Sequence, residues 1–597
     1  MREFCHLVQP SKLLSYTTVE TGYTQIQKLI VILIIACIRS SNAVNFDQCL
    51  KDINNMTIDG KTDNHGHPLP PSTRDASAIT YELCISQCGA GQEPFQWTMF
   101  SQEFSSWLLP WLALLSQLPF GANDKLHNLE SMLLTLGSPT LAAYSLVLTV
   151  LNRRWIAQLF SNYRYANVQS AVRVLSSLQQ SPLRVDADDE LLASLVLLPQ
   201  NDEWWTELVV WLDYTHTWSI SAAASIAWVI MAYIFTIVDY FSQSVLVTLD
   251  SNVQGIGSVG SLWLWLLPIV VGWLQISPKC DSNRLNQAFE RANAIAFVAT
   301  SISPPRKASE ITERRAISLK LAEVDEARLD ERATPPIFNY ARFLPWVHDV
   351  MVISDIFHNV SERNHHHDPV IGVEWCDRKF DDGSQLTAFH VSKYCVQREG
   401  SDERPKRKWG LDDSVISRVC IASVLALMLQ WGTTIAAVII AWFTPTIGLG
   451  CRSGSYILYG LFSTLAWILL FMSSILTYYS THNPARSFKR HSFLSIRSCL
   501  FRWLAIFLRR LGKLVATTNA VWVVSTGLLQ FSSFYDRCYC NSSVLGLGKR
   551  AYNVINLTRD DAVNMRAAWI GGFSLAAAVA AIFAGFVTLL VDPPFPS

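Results

Sequence analysis

The cysteines are the residues of this chain whose spacing points most directly to chemistry. Thirteen are present among 597 residues. Six lie in segments that we expect outside the cytosol: Cys49, Cys84, Cys88, Cys451, Cys538 and Cys540. An even number suits disulfide formation in an oxidising compartment, although six cysteines allow fifteen pairings. We expect Cys49 to pair with Cys84 or Cys88, and Cys451 to pair with Cys538 or Cys540. A metal site at Cys84 and Cys88 is the alternative, for which the sequence offers no matching second ligand pair.

Histidines form the second group that could do chemistry, because imidazole binds Zn²⁺ and Cu²⁺ well. The group comprises His358, His365, His366, His367 and Asp368. Three adjacent histidines cannot easily converge on one ion from a regular helix, so we expect no resident metal. The chain also lacks a Gly-x-Ser-x-Gly elbow and a Gly-x-x-x-x-Gly-Lys-Ser/Thr loop. The sequence therefore predicts neither catalytic residues nor a cofactor.

Composition shows what kind of elements must position these residues. Hydrophobic residues make up 50% of the chain and charged residues 16%, against about 25% charged in soluble domains. Mean hydropathy is +0.22. The 48 basic residues balance 48 acidic ones, so charge gives no reason to expect a nucleic-acid partner. We predict a polytopic membrane protein.

Apolar stretches of about twenty residues predict seven membrane-spanning helices. Their ranges are 130–151, 218–241, 259–277, 419–443, 455–479, 514–534 and 568–591. The shorter segment 104–120 contains Pro110 and Pro119. We expect it to lie in the outer interface or to re-enter.

The distribution of basic residues predicts the orientation, because they accumulate in cytoplasmic loops. With 104–120 not spanning, the loops 152–217, 278–418 and 480–513 hold 34 Lys and Arg residues. The opposite segments 44–129, 242–258, 444–454 and 535–567 hold 10. The amino end is therefore expected outside and the carboxyl end in the cytosol, in the plasma membrane or the secretory pathway.

Processing signals agree with this orientation. Residues 1–43 carry a basic flank and a ten-residue apolar core, Leu29–Ile38, and are expected to be a cleaved signal peptide or a retained anchor. Glycosylation sequons begin at Asn55, Asn541 and Asn556, all on the expected outer side. A fourth, at Asn359, falls in a cytoplasmic loop, where it would be idle.

Three segments outside the spans are expected to carry interactions. Residues 44–103 form a small ectodomain that depends on disulfides, and 278–418 form a cytoplasmic module able to meet a cytosolic partner. Basic residues also suit anionic lipid headgroups, although ordinary topogenic charge explains them equally well. They are Arg404, Lys406, Arg407 and Lys408, together with the expected interfacial helix 480–513.

Polar residues are rare within the predicted spans. Gln430 and Thr434 lie in the fourth span and Asn519 in the sixth, while ionisable groups sit at span ends. Hydrogen bonding between helices is the commoner role for such groups. Their scarcity argues against ion-coupled transport.

One stretch of the chain resembles a known family. Residues 430–434, Gln-Trp-Gly-Thr-Thr, and 444–456, which begin Thr-Pro-Thr-Ile-Gly, resemble a family of uncharacterised multi-pass membrane proteins from filamentous fungi, as does Phe104–Gly121. The resemblance implies a membrane protein and no activity.

The sequence therefore predicts an all-α, seven-helix membrane bundle with a small disulfide-linked ectodomain and a large cytoplasmic loop, of open oligomeric state. We expect a non-enzymatic sensor or organiser. A transporter or channel for a small solute is the alternative, and a hydrated cavity lined by Gln430, Thr434 and Asn519 would favour it. A membrane enzyme that uses His365 to His367 comes third.

Overall fold

The computed structural model describes residues 43–120, 125–186, 189–214, 218–242, 259–301, 305–319, 334–367, 387–395, 413–481 and 493–592. The expected signal peptide lies outside these residues except for its last residue. Arg404, Lys406, Arg407, Lys408 and Asp368 lie outside them as well.

The described chain is mostly helical. Its longer helices are, in order, α1 (Phe46–Asn55), α2 (Trp97–Glu103), α3 (Leu109–Leu115), α4 (Lys125–Gly137), α5 (Pro139–Phe160), α6 (Val168–Ser177), α7 (Asp189–Leu197), α8 (Asp202–Leu212), α9 (Ile220–Ser242), α10 (Leu266–Ile276), α11 (Ser282–Ile295), α12 (Phe343–His366), α13 (Ala388–Cys395), α14 (Asp413–Trp442), α15 (Cys451–Thr481), α16 (Phe493–Phe531) and α17 (Arg559–Leu590). Shorter helical turns cover Tyr81–Leu83, Pro199–Asn201, Ala308–Ile311, Cys538–Asn541, Val544–Leu547 and Gly548–Arg550, and π-helical turns cover Cys84–Cys88 and Phe104–Leu108.

Seven short strands accompany the helices: β1 (Lys61–Thr62), β2 (Ala78–Thr80), β3 (Arg184–Val185), β4 (Phe297–Val298), β5 (Arg306–Lys307), β6 (Ile317–Ser318) and β7 (Tyr552–Val554). They form antiparallel sheets of order β1-β2-β7, β3-β6 and β4-β5. In the largest sheet Ala78 is opposite Val554, so two segments far apart in the chain meet there.

Among the described helices, six are long and apolar enough to cross a membrane, or seven if one bent pair counts as a single span. The prediction of a mostly helical, multi-pass membrane protein is confirmed in this form. Small sheets lie at the two ends of the bundle.

The predicted first span, 130–151, falls on two helices that meet at a bend. α4 and α5 meet at a bend of 104° at Ser138. The Ser138 side chain accepts a hydrogen bond from Leu141 N and so caps α5, whose first residue is Pro139. Proline is favoured at a first helical position and breaks a helix that precedes it. Hydropathy could not reveal the bend, because both halves are apolar.

The predicted interfacial helix, 480–513, and the predicted span, 514–534, share one helix over the described residues. α16 continues without a break from Phe493 to Phe531, about 58 Å by helix rise. It packs antiparallel to α15 along much of its length: Ser473 Oγ donates to Ala505 O at 2.7 Å, and Trp522 Nε1 donates to Ser455 O at 3.2 Å.

One end of the bundle carries the disulfide-linked cap, which we define as residues 43–96, 443–450 and 532–558. Its core is made of Phe46, Leu50, Ile53, Ile79, Leu83, Cys84 and Cys538. The amphipathic helix α1 supplies three of these side chains from one face, because residues four apart lie together on a helix. The cap sits over the ends of α14, α15, α16 and α17.

The opposite end carries the helical module, which we define as residues 152–214, 278–301, 305–319, 334–367 and 387–395. The described parts of the two predicted loops, 152–217 and 278–418, fold together here. Strand β3 from the first loop pairs with β6 from the second, and Trp204 Nε1 donates to Asn293 Oδ1 at 3.1 Å. A small core shared by α7, α12 and α13 includes Leu197, Val360 and Tyr394.

Segment 104–120, expected to be interfacial or re-entrant, packs lengthwise against the bundle. The chain is helical from Trp97 to Leu115, and Trp111, Leu114 and Leu115 are buried. Glu103 lies near charged residues at the cap end, whereas Gln117 Oε1 accepts a hydrogen bond from Ser221 Oγ at 3.4 Å. Fourteen helical residues separate these points by about 21 Å.

Candidate functional site

The structure pairs all six cysteines expected outside the cytosol. The disulfides are Cys49–Cys88, Cys84–Cys538 and Cys451–Cys540. The first and third are among the pairings that the sequence left open. The second joins residues 454 positions apart, and therefore ties the amino-terminal part of the cap to the segment between α16 and α17.

Lys61 is the central buried charge of the cap. Its side chain is 0% exposed, and Nζ donates to the carbonyl oxygens of Met56 at 2.7 Å, Pro71 at 3.2 Å and Thr73 at 2.5 Å. An ammonium has three protons to donate, so all three are used. The charge holds the surrounding turns in place.

A polar network docks the cap onto the start of α17. Asn64 Nδ2 donates to Asp561 Oδ2 and, at 3.0 Å, to Asn556 O, while Ser77 Oγ donates to Asn64 Oδ1. Asp561 also completes a capping box with Thr558. The carboxylate therefore stabilises the amino end of α17 and holds the cap to it.

Three charged side chains meet where α2 reaches the cap. Arg452 Nη2 donates to Asp536 Oδ1 at 2.5 Å, and Glu103 is 5% exposed. Burial, together with the negative charge of Asp536, raises the pKa of Glu103 to about 8 against the opposing effect of Arg452. Among the described residues, Glu103 Oε1, Arg452 Nε and Asp536 Oδ2 are buried without a hydrogen-bond partner. We call Glu103, Arg452 and Asp536 the charged trio, which lies at the border of the cap.

A small cavity lies beside this trio, between the loop 444–453 and residues Asn541 and Ser543. Its volume is about 30 Å³, room for a few water molecules.

The predicted glycosylation sites differ in their exposure. Asn55 and Asn556 are exposed, whereas Asn541 is half-buried and lines the cavity. Ser543, the hydroxyl residue of that sequon, is 3% exposed and donates to Thr446 O at 2.8 Å. Asn359 Nδ2 donates to Cys395 O at 2.7 Å inside the helical module.

The three polar residues of the predicted spans meet near the bend at Ser138. Gln430 Nε2 donates to Thr434 Oγ1 at 2.8 Å, and Asn519 Nδ2 donates to Gly137 O at 2.7 Å and to Tyr459 O at 3.0 Å. All three side chains are 0% exposed. Within this group, among described residues, only Asn519 Oδ1 is buried without a partner.

These bonds satisfy the backbone that the bend exposes. Tyr459 Oη donates to Leu136 O at 2.9 Å, and Ser138 Oγ donates to Ser463 O at 2.8 Å. Backbone groups freed by a helix break inside a membrane need such partners. The polar centre is therefore occupied by the protein's own groups.

Arg418 joins the bundle to the helical module. It is 6% exposed, donates to Asn152 Oδ1, and its guanidinium lies 4.1 Å from the Trp155 ring centre and 5.6 Å from that of Phe343. Cation–π contacts of a desolvated arginine are comparatively strong. Helices α5, α12 and α14 are thereby held together at one point.

The histidine group does not converge in the structure. His365 and His366 end α12, and His367 follows in a left-handed conformation that ends the helix. His358 lies against the Tyr163 ring at 5.6 Å. Among the described residues, no group of three His, Cys, Asp or Glu side chains could hold a metal ion.

Sequence reasoning missed the Lys61 cage, the Asn64 network and the charged trio. Each joins residues distant in the chain or a side chain to backbone carbonyls, so no local spacing marks it. The one signal available was Glu103 itself, an acidic residue immediately before an apolar segment.

Comparisons of the chain with protein-family models, with curated proteins and with solved structures find no match.

Proposed function

We propose that this chain is a non-enzymatic membrane protein that senses or organises, with the disulfide-linked cap outside and the helical module in the cytosol. The observation that carries the proposal is the packed polar centre: Gln430, Thr434 and Asn519 are fully buried, and each forms a hydrogen bond within the protein. Tight packing at these three residues, within the described part of the chain, favours a mechanical connection between the cap and the helical module over passage of solute.

The cap and the helical module contact the same helices, which supports a connecting role. Near the start of α14, Arg418 packs against Trp155 of the helical module. Just past the end of α14, Thr444 Oγ1 accepts a hydrogen bond from Trp569 Nε1 beneath the cap. α15 begins with the cap disulfide at Cys451 and continues to Ser474, whose Oγ donates to Tyr340 O. A movement of the cap would therefore reach the module through rigid helices.

The same geometry supports a revised topology, in which 104–120 crosses the membrane and 125–160 re-enters from the side of the helical module. Glu130 pairs with Lys513 at 2.6 Å, Ser138 reaches Ser463, and Thr149 Oγ1 accepts a hydrogen bond from Gln180 Nε2 at 3.0 Å. Both ends of this hairpin therefore face the module. One crossing is added at 104–120 and one is removed at 125–160. All later segments therefore stay on the sides of the membrane that the charge distribution predicts.

An epitope tag tests this topology. Inserted between Ala122 and Asn123, it should share its side of the membrane with the helical module in a protease-protection assay on sealed vesicles. A tag between Lys549 and Arg550 is the matched control for the cap side. If both tags are cleaved from the same side, the re-entrant hairpin is excluded.

Transport of a small solute is the second candidate, favoured by the helix break at Ser138, because broken helices form substrate sites in many transporters. Cysteine substitution separates the two functions. Thr434→Cys and Asn519→Cys should not react with a small charged thiol reagent, while Lys549→Cys, which is exposed, should react rapidly. Labelling of either buried position in the folded protein would favour transport and contradict the organiser.

The relationship to multi-pass proteins of filamentous fungi stays a proposal that rests on residues 430–434 and 444–456. Contact of the basic residues 404–408 with lipid, and of residues 278–418 with a cytosolic partner, are proposals of the same standing.

A further inference from the structure

α16 exposes a line of mainly apolar residues along the half that extends toward the helical module. Leu500, Trp503, Phe507 and Leu514 are 58%, 55%, 48% and 47% exposed. Their spacing of three, four and seven places them on one face of the helix. The Trp503 and Phe507 rings stack at 5.8 Å with an angle of 5°. We call this line, with the arginines described next, the basic aromatic stripe.

Two exposed arginines accompany the stripe. Arg510 lies between Phe507 and Leu514 on the same face, whereas Arg502 precedes Trp503 and lies on the flank of the helix beside the stripe; both are exposed. From Leu514 to Phe531 the helix has no charged residue. The nearby Lys513 is already paired with Glu130 at 2.6 Å. The stripe therefore runs from an uncharged, apolar part of the helix to a part that carries exposed positive charge.

The opposite face of the same helical stretch is fully packed. Ala505 is 1% exposed and its carbonyl accepts the Ser473 hydroxyl. A Cβ added at Gly512 would meet Leu470 at 2.8 Å. The stripe is consequently held in a fixed orientation by α15, facing away from the bundle.

We propose that the basic aromatic stripe binds anionic phospholipid in the leaflet on the helical-module side. Aromatic rings are favoured at the headgroup level of a bilayer, and the planar guanidinium group suits phosphate. Leu514 and Phe507 then contact acyl chain while Arg510 and Arg502 reach the headgroups. This inference uses the membrane-embedded bundle and is independent of whether the protein organises or transports.

Charge decides between lipid and a second copy of the chain. In a symmetric pair of parallel helices formed through this stripe, Arg510 would approach its own copy, and like charges across an interface are unfavourable. Anionic headgroups neutralise the same arginines. Each basic residue near such a surface contributes about 1 kcal/mol, which corresponds to about a fivefold change in affinity.

Native mass spectrometry of the full chain in neutral detergent tests the proposal, with dioleoyl phosphatidylserine and dioleoyl phosphatidylcholine as probes. Phosphatidylserine should bind more tightly. Arg502→Gln combined with Arg510→Gln should weaken it about 25-fold by the same arithmetic and leave phosphatidylcholine unchanged. The matched control is Lys549→Gln with Arg550→Gln, which removes two exposed charges at the cap and should change neither lipid.

Three results would overturn the proposal. Equal phosphatidylserine affinity in the double arginine variant and the parent chain would show that the arginines do not contribute to binding. Full competition by an equal concentration of soluble glycerol phosphate would identify a free-phosphate site. A dimer peak that disappears in a Trp503→Ala and Phe507→Ala variant, with no change in lipid adducts, would assign the stripe to a second copy.

Discussion

Lys61 shows how a single buried residue contributes to the stability of the cap. Its ammonium is enclosed by the carbonyl oxygens of Met56, Pro71 and Thr73, and α1 and β2 pack nearby around a small core. A core of this size contributes little stability by itself. Single polar interactions and disulfides therefore carry an unusually large share.

Replacing Lys61 should destabilise the cap. Lys61→Met keeps the apolar stem but leaves three carbonyl oxygens without a donor, at a cost of about 3 kcal/mol or more. Native-state proteolysis of the cap should accelerate accordingly. The control is Lys51→Met on the exposed face of α1, which should have a negligible effect; equal effects of the two changes would show that the carbonyl cage contributes nothing.

Glu103 predicts a pH dependence of stability. Its pKa is raised from 4.5 to about 8 in the folded protein, so the folded state binds more protons than the unfolded state between these values. The free energy of unfolding should therefore fall as pH rises through this window, by about 1.4 kcal/mol for each unit of pKa shift at most.

Glu103→Gln tests this prediction, because an amide cannot lose the proton. Thermal unfolding followed from pH 5 to pH 9 should show a smaller decline for the variant than for the parent chain. Glu82→Gln, at an exposed position, should leave the decline unchanged. A parent profile that is flat between pH 5 and pH 8 would contradict the raised pKa.

At the scale of elements, the bend between α4 and α5 depends on one close contact. A Cβ built on Gly137 would lie 1.7 Å from the Ala516 carbonyl oxygen of α16. Glycine is required there because it allows the backbones to approach, as small residues do where membrane helices pack closely.

Gly137→Ala should therefore separate α4 from α16 and lower the thermal unfolding midpoint of the purified protein by many degrees. Gly571→Ala is the matched control in α17, where an added Cβ meets nothing within 4 Å and where alanine improves helix propensity. An unchanged unfolding midpoint in the Gly137→Ala variant would mean that the helices do not pack as described.

The presence of apolar helices could be predicted from the sequence, whereas the residues at which each helix begins, bends and ends could not. Hydrophobicity located the apolar stretches near 218–241, 259–277, 419–443, 455–479 and 568–591 because each must satisfy its backbone within one helix. It failed at Ser138 and at the start of α16. A bend with apolar halves leaves hydropathy unchanged, and a helix can continue past the membrane when a neighbouring helix covers it.

At the scale of the whole molecule, the Cys84–Cys538 disulfide closes the chain on itself. The two sulfurs belong to segments 454 residues apart, on either side of α14 and α15. The cap is thus one unit built from both ends of the chain, and its removal would expose the ends of four helices.

A protease site inserted between Gly400 and Ser401 tests this closure. After cleavage the two fragments should migrate together on a non-reducing gel and separate after reduction, because Cys84 and Cys538 lie on different fragments. Cys84→Ser combined with Cys538→Ser should abolish the joint migration. Separation of the parent fragments without reductant would exclude the pairing.

The sequence by itself determined the class of protein and the set of cysteines available for disulfides. These follow from composition and local apolar runs, because a helix in lipid must be apolar along its length and cysteines in an oxidising compartment form disulfides. Only the tertiary structure decided which cysteines pair, that two loops form one helical module, that Gln430 and Asn519 serve a helix break, and that Glu103 meets Arg452. Those outcomes depend on contacts between residues hundreds of positions apart, and burial gives such contacts their energy without leaving a periodic mark in the sequence.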